Sequence, residues 1–389
     1  MNKLDALIAE LCPQGVERKR LGDIGVVVRG NGLQKKDFTE SGVGCIHYGQ
    51  IYTYYGTCAY KTKSFVSHEL AEKLQKVNKG DLVIAVTSEN VEDVGKCVVW
   101  LGDEQIVTGA HAAIFRHNQD PKYVAYWFQT NDFFTQKKRI AKGTKVIDLT
   151  PQKLEEVTMP VPPLPVQREI VRILDNFAEL TAELTTELTA RKKQYEYYRD
   201  TLLTFDVHRG GTFETKWRTL GEVCDLSAGG DVPKDKFSKE KTEEFTVPIF
   251  SNGVGNNALY GYTDKAKIKA PCVTIAARGT IGYCALHDED FYPIIRLICA
   301  KPKDCVLAGY LKYYVETLHF KVPASGIPQL TVPMVAKYKI PVPEIEIQKK
   351  IVDVLDNFDA ICSDLNIGLP AEIEARKKQY EYYRDMLLT

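Results

Sequence analysis

The chain has 389 residues, with 51 Lys plus Arg against 51 Asp plus Glu, and is 44% hydrophobic and 26% charged. That length suggests two or three domains, and the balance is that of a soluble globular protein. No apolar run reaches the ~18–20 residues that cross a bilayer. The start, MNKLDALIAELCPQG, lacks the basic-then-apolar plan of a secretory signal, and the ten cysteines include no Cys-x-x-Cys pair. A zinc ribbon and a thioredoxin motif are therefore excluded, and reduced, mostly buried thiols in the cytoplasm are expected.

In chain order, a short N-terminal helix leads into a first head, about 12–160, that mixes strand-like runs with turns. Gly25–Val28, Asp81–Val86 and Lys96–Trp100 read as strands, and Lys122–Thr135 as helix. After the proline-rich stretch Pro160–Pro165, apolar residues recur at Ile170, Leu174, Phe177, Leu180, Leu184, Leu188, Tyr195, Tyr198, Leu202 and Phe205. These three- and four-residue steps predict an amphipathic helix with a coiled-coil-like stripe. About 38 residues at 1.5 Å each make a rod of roughly 55 Å, whose entry the prolines fix. The second head carries strand candidates at Val247–Phe250, Cys272–Ala276 and Tyr283–Leu286, then a helix near Leu307–Leu318. A second stripe follows at Ile351, Leu355, Phe358, Ile361, Leu365, Ile373, Tyr380, Tyr383 and Leu387, with Gly368 and Pro370 placed to break or kink the helix.

An internal repeat dominates this layout. ARKKQYEYYRD occurs at Ala190–Asp200 and again at Ala375–Asp385, and with the residues that follow, 14 of 15 positions agree. Met159–Phe177 aligns with Ile340–Phe358 at an offset of 181, while Leu21 with Leu220, Lys35 with Lys234 and Phe38 with Phe237 align at 199. Two near-identical helices thus follow two divergent heads, which suggests one constant task and two different recognition tasks. From Phe177 to Ala190 is 13 residues, filled by the tetrads AELTAELTTELTA; from Phe358 to Ala375 is 17. The four extra residues fall at the Gly368–Pro370 break.

Polar loops between the strands are the candidate reading surfaces. In head one they hold Asn31, Gln34, Lys35, Lys36, Ser88 and Asn90; in head two Lys234, Ser251, Asn252, Asn257, Arg278 and Thr280. Asn, Gln, Arg and Lys pair with base edges, and Lys, Ser and backbone amides with phosphates. The same residues also make ordinary turns, so the pattern leaves both roles open. Tyr195, Tyr197 and Tyr198 cannot all face one seam, and a surface of Tyr195, Tyr198, Arg199, Tyr380, Tyr383 and Arg384 would suit a protein partner, or else simply face solvent. The helical segments 167–204 and 348–389 together carry −3, leaving a weak +3 on the rest. Tight DNA binding would then need a partner to supply phosphate contacts.

No catalytic or metal site is legible. There is no Asn- or Asp-Pro-Pro-aromatic motif, no Gly-Lys-Ser/Thr P-loop and no paired spacing among the seven histidines. The chain instead resembles the specificity subunit of a Type I restriction-modification system. The resemblance rests on the doubled IPVP…Q…I…LD block, the doubled RKKQYEYYRD, the tetrad spacer and LIAELCPQGVERKRLGDI near the start, and it spans nearly the whole chain. It implies an α+β, mixed α/β fold: two target-recognition domains separated by two long antiparallel coiled-coil helices, related by a pseudo-twofold repeat. The domains would be 1–160, 161–206 (central helix), 207–341 and 342–389 (C-terminal helix). It further implies that each head reads half of a split double-stranded DNA site. The helices would dock two modification subunits, and the complex would recruit restriction subunits. S-adenosylmethionine, ATP and Mg are then expected on those partners, with no cofactor and no membrane contact for this chain. A two-headed scaffold that does not bind DNA, and a self-sufficient DNA enzyme, are the alternatives.

Overall fold

The computed structural model describes residues 3–143, 145–204, 215–233, 235–322, 327–363 and 367–389. Lys234, and Phe205 and Leu365 of the predicted stripes, lie outside the described residues. Two compact units emerge: Met1–Thr185 with Glu372–Thr389, and Thr186–Ala371. Each holds one head, the start of the helix that follows it, and the RKKQYEYYRD stretch borne by the other helix.

Head one is built on a five-stranded sheet in the order Gly25–Arg29, Ala112–His117, Leu82–Ala85, Cys97–Trp100, Cys58–Ala59. All its pairs are antiparallel except the last. Alternation along each strand sends side chains to opposite faces. Leu82, Ile84, Val99, Ala113 and Phe115 join the main core on one face, with Tyr123, Val124 and Trp127 of the helix Pro121–Trp127. Val83, Ala85, Val98, Trp100, Ala112 and Ile114 pack on the other, against Ile46, Val77 and Ile106 of a second sheet. Burial on both faces is why LVIA reads as an unbroken apolar run. That second sheet runs Ser64–Val66, Val43–Ile46, Ile106–Thr108, Gln75–Val77, four strands too short to stand out in the sequence. The single helix expected over 122–135 is two, Pro121–Trp127 and Asn131–Ile140, because the Thr130 hydroxyl accepts from the Phe133 N–H and starts a new helix.

Head two repeats the frame: Cys224–Ala228, Leu297–Pro302, Cys272–Ala276, Cys284–His287, with a three-stranded sheet Leu259–Thr263, Val247–Phe250, Tyr292–Pro293 beside it. The predicted helix near 307–318 is Ala308–Thr317.

The long helix runs Leu164–Leu203, 40 residues. Its counterpart is interrupted where glycine and proline predict: one helix, Ile345–Ser363, stops, and another, Leu369–Leu388, starts with Pro370 in its first turn. The doubled Q…LD block bolts each head to the helix behind it. In head one, fully buried Gln167 accepts from the Asp120 N–H (2.9 Å) and donates to the Pro162 carbonyl (2.7 Å) and the Gln119 side chain (2.8 Å). In head two, Gln348 accepts from the Leu307 N–H (2.8 Å) and donates to the carbonyls of Cys305 (2.9 Å) and Pro343 (2.8 Å). Two turns on, Asp175 accepts from the Tyr126 hydroxyl and Asp356 from the Tyr313 hydroxyl, each at 2.6 Å. Tyr123 and Tyr310 close each joint on the carbonyls of Pro160 and Pro341.

Candidate nucleic-acid interface

In head one the structure brings Lys35, Ser88 and Asn90 together around a cleft of about 760 Å³. Lys35 and Lys36 stand exposed on one turn, Lys35–Asp37, held by the Asp37 carboxylate accepting from the Gln34 N–H at 2.8 Å; the Gln34 side chain is also exposed. The asparagines have local work. Asn31 donates to the Lys73 carbonyl (2.7 Å) and accepts from the Gln75 N–H (2.9 Å). Asn90 is bonded through both ends of its carboxamide to Asp93 (2.9 and 2.7 Å). Of the two roles the sequence leaves open for these asparagines, their bonds are those of turn clamps.

The floor of this cleft is aromatic, and the sequence reading missed it. His47 lies 4.5 Å from Tyr48, and Tyr48 4.9 Å from His111, centroid to centroid. The Tyr52 hydroxyl donates to the Thr87 carbonyl at 2.7 Å, and the Thr87 hydroxyl meets His111 Nδ1 at 2.9 Å. Burial, with Lys35 and His111 nearby, holds the His47 imidazole below its ordinary pKa, so it stays neutral near pH 7. Burial pushes the Tyr52 phenol up to about 12, leaving it a hydrogen-bond donor. The dense tyrosines of HYGQIYTYY, residues 47–55, were the available signal. Lys35 and Lys63 flank rings on which a base could stack. Glu89 and Asp93 also line the cleft, with Asp93 paired to Lys96 at 2.6 Å.

In head two, the loops holding Ser251–Asn257 and Arg278–Thr280 are tied to each other. Asn252 donates to the Arg278 carbonyl and Thr280 to the Asn252 carbonyl, both at 2.7 Å. The Ser251 hydroxyl donates to the Ala258 carbonyl (3.3 Å), and Asn257 is exposed on the same turn. Among the described residues the guanidinium of half-exposed Arg278 has no hydrogen bond or ion pair.

At the six predicted positions the tyrosine and arginine block makes contacts within the chain. Tyr195 packs against the core of head two, its hydroxyl 3.4 Å from Glu316, and Tyr380 packs against the core of head one, 3.4 Å from Gln129. Tyr198 stacks on Phe358 and Tyr383 on Phe177, each at 5.4 Å. Arg199 and Arg384 lie over the rings of Tyr195 and Tyr380 and pair with Asp200 and Asp385. The three- and four-residue spacing of the stripe brings Tyr195, Tyr380 and Tyr383 against these partners, while Tyr198 keeps 39% of its surface exposed. The outward face of the same block presents Tyr197 and Tyr382, each 66% exposed, with Lys192, Lys193, Lys377 and Lys378.

Among the described residues no cluster of His, Cys, Asp or Glu could hold a metal, and no helix is long and apolar enough to cross a membrane. All ten cysteines are free thiols.

Two unlike heads on one frame, each bolted to a duplicated helix, define a two-domain recognition protein. The chain belongs to the Type I restriction modification DNA specificity family, whose domain matches twice, at residues 13–191 and 214–375. It is 37% identical over 282 residues to a putative type I specificity subunit of Mycoplasma pneumoniae, covering 69% of this chain and 82% of that one. It is 33% identical over 302 residues to the EcoR124I/EcoR124II Type I restriction enzyme specificity subunit of Escherichia coli, covering 69% and 70%. Among solved structures, a type I restriction-modification assembly component matches with a TM-score of 0.62 at 18% identity, covering 96% of this chain and 98% of that one. The S subunit from M. genitalium matches with a TM-score of 0.56 at 16% identity, covering 96% of each. At such identities these two likenesses speak for the fold alone. The chain's part in a Type I complex is sequence specificity rather than catalysis.

Proposed function

We propose that each head reads one half of a bipartite DNA site while the helices hold two modification subunits, the methyl-transferring partners. The observation that carries this is the pair of equivalent joints. Gln167 and Asp175 in one unit, and Gln348 and Asp356 in the other, fix the same sheet frame to the same helix block, while the loops borne on the frames differ. Invariant mounting with divergent loops is what independent half-site readers require.

The reading residues are proposed as Gln34, Lys35, Lys36 and Ser88 with the aromatic cleft in head one, and Ser251, Asn252, Asn257, Arg278 and Thr280 in head two. Asn31 and Asn90 serve by shaping their turns. The partner contact falls on the outward Tyr197 and Tyr382 with their flanking lysines. The chain's formal net charge of zero supports a partner that supplies phosphate contacts. S-adenosylmethionine belongs on the modification subunits, and ATP and Mg on restriction subunits; the setting is the cytoplasm. The test is gel-shift on bipartite duplexes with the purified modification subunit present. Sequence-selective binding that appears only in the joint complex supports the reading; no selectivity with any partner present refutes it.

A further inference from the structure

Three main-chain bonds recur at matched positions in the two heads. The Gly30 N–H donates to the Ala112 carbonyl as the Gly229 N–H donates to that of Leu297, both at 2.8 Å. The Val86 N–H donates to the His111 carbonyl (3.0 Å) as the Ala277 N–H donates to that of Arg296 (2.8 Å). The Leu149 N–H donates to Val86 as the Leu330 N–H donates to Ala277, again both at 2.8 Å. Thr87 and His111 of head one therefore occupy the positions of Arg278 and Arg296 in head two.

In head one that pair closes on itself, hydroxyl to imidazole at 2.9 Å, with the ring against Tyr48. In head two the same two positions carry guanidinium groups, and among the described residues neither side chain is hydrogen-bonded or ion-paired. Lysines of the same head do have carboxylates: Lys236 with Asp264, Lys269 with Asp290, Lys312 with Glu316. Arg296 is also exposed and held at φ 81°, the one positive-φ residue other than glycine among the described residues. L side chains adopt that region at a cost, and among the described residues the arginine side chain makes no hydrogen bond or ion pair that would offset it. Such outliers gather at ligand clamps.

We propose that Arg296, with Arg278 beside it, reads a guanine in the half-site recognised by head two. This rests on the DNA-reading role proposed above and deepens it. The planar fork of arginine matches the O6 and N7 acceptors of guanine in the major groove, and a second guanidinium on the neighbouring strand end restricts where that base can lie. Head one, whose matched Thr87–His111 pair is closed on itself, makes no such contact there. Arg296 was invisible in the sequence because it sits in YPIIRLICA, a run that otherwise reads as buried strand.

The test uses the full chain assembled with its modification subunits. Arg296→Gly deletes the cation and accepts the positive φ without strain, so its thermal midpoint should equal or exceed that of the parent. Binding to the cognate duplex should fall roughly 10- to 100-fold. Methylome mapping should show relaxation at one G·C position of one half-site. Replacing that guanine by 7-deazaguanine should weaken the parent complex but not the variant. Arg278→Gln should relax the same half-site. A parent complex with no sequence preference would sink the DNA-reading role and this inference with it. A selective parent whose motif is unchanged by R296G, or whose affinity falls equally on all duplexes as for a phosphate contact, overturns this inference alone.

Discussion

Replacing Gln348 with leucine keeps the side chain's bulk and removes every polar atom beyond Cγ. The residue is fully buried, and its three partners are all main chain: the Leu307 N–H at 2.8 Å and the carbonyls of Cys305 and Pro343 at 2.9 and 2.8 Å. A buried donor left unpaired costs about 1–3 kcal/mol, and the deserted carbonyls add to it. Leucine's better burial returns part of this, so a net loss of about 3 kcal/mol is expected for head two. Because Leu307 caps the helix Ala308–Thr317, amide hydrogen exchange along that helix reports the loss directly. Protection there should fall about a hundredfold, a factor of ten per ~1.4 kcal/mol. Gln348→Glu should do more damage at neutral pH, since a carboxylate would face two carbonyls, and should recover partly on acidification. Gln167→Leu should loosen Pro121–Trp127 of head one and leave head two untouched. Protection in Gln348→Leu within threefold of the parent would refute the idea that these glutamines are joints.

Other outcomes follow from the same contacts. Arg172 and Lys3 hold the buried Glu169 carboxylate down to about 2 from an ordinary 4.5. A depressed carboxylate contributes stability above the unfolded value and loses it as pH falls from ~4.5 toward ~2. Glu169→Gln should therefore flatten that part of the acid-unfolding curve, and a curve of unchanged shape would count against the ion pairs. Tyr197→Ser with Tyr382→Ser, both solvent-facing, should leave the thermal midpoint unaltered while weakening capture of the modification subunit at least tenfold by calorimetry; equal capture would move the docking face elsewhere. Inserting one Thr-Ala-Glu-Leu unit after Leu184 adds ~6 Å of helix and should widen the unspecific gap by one or two base pairs in methylation mapping, with an unchanged gap as the contrary result. Exchanging residues 12–160 for another head should alter one half-site only; altered methylation in both would dispose of modularity.

Local pattern alone carried much of this protein. The duplicated block, the amphipathic stripes, the break at Gly368–Pro370 and buried strands such as LVIA all declare themselves through period, proline and glycine, because those signals depend on neighbours a few residues away. What needed the tertiary structure is everything settled by distant partners. Tyr380 seats against Tyr126, 254 positions earlier in sequence, and Asp385 accepts from Asn131 across the same span. No periodicity says which head a repeated helix block will serve. Likewise the sequence leaves Asn31 and Asn90 open to base reading or turn making, and only the structure shows their bonds to Lys73, Gln75 and Asp93; Arg296 looks like a strand residue until its turn is formed. A side chain's chemistry is written in the sequence; whether that chemistry is already satisfied depends on which remote backbone folding brings within hydrogen-bond reach.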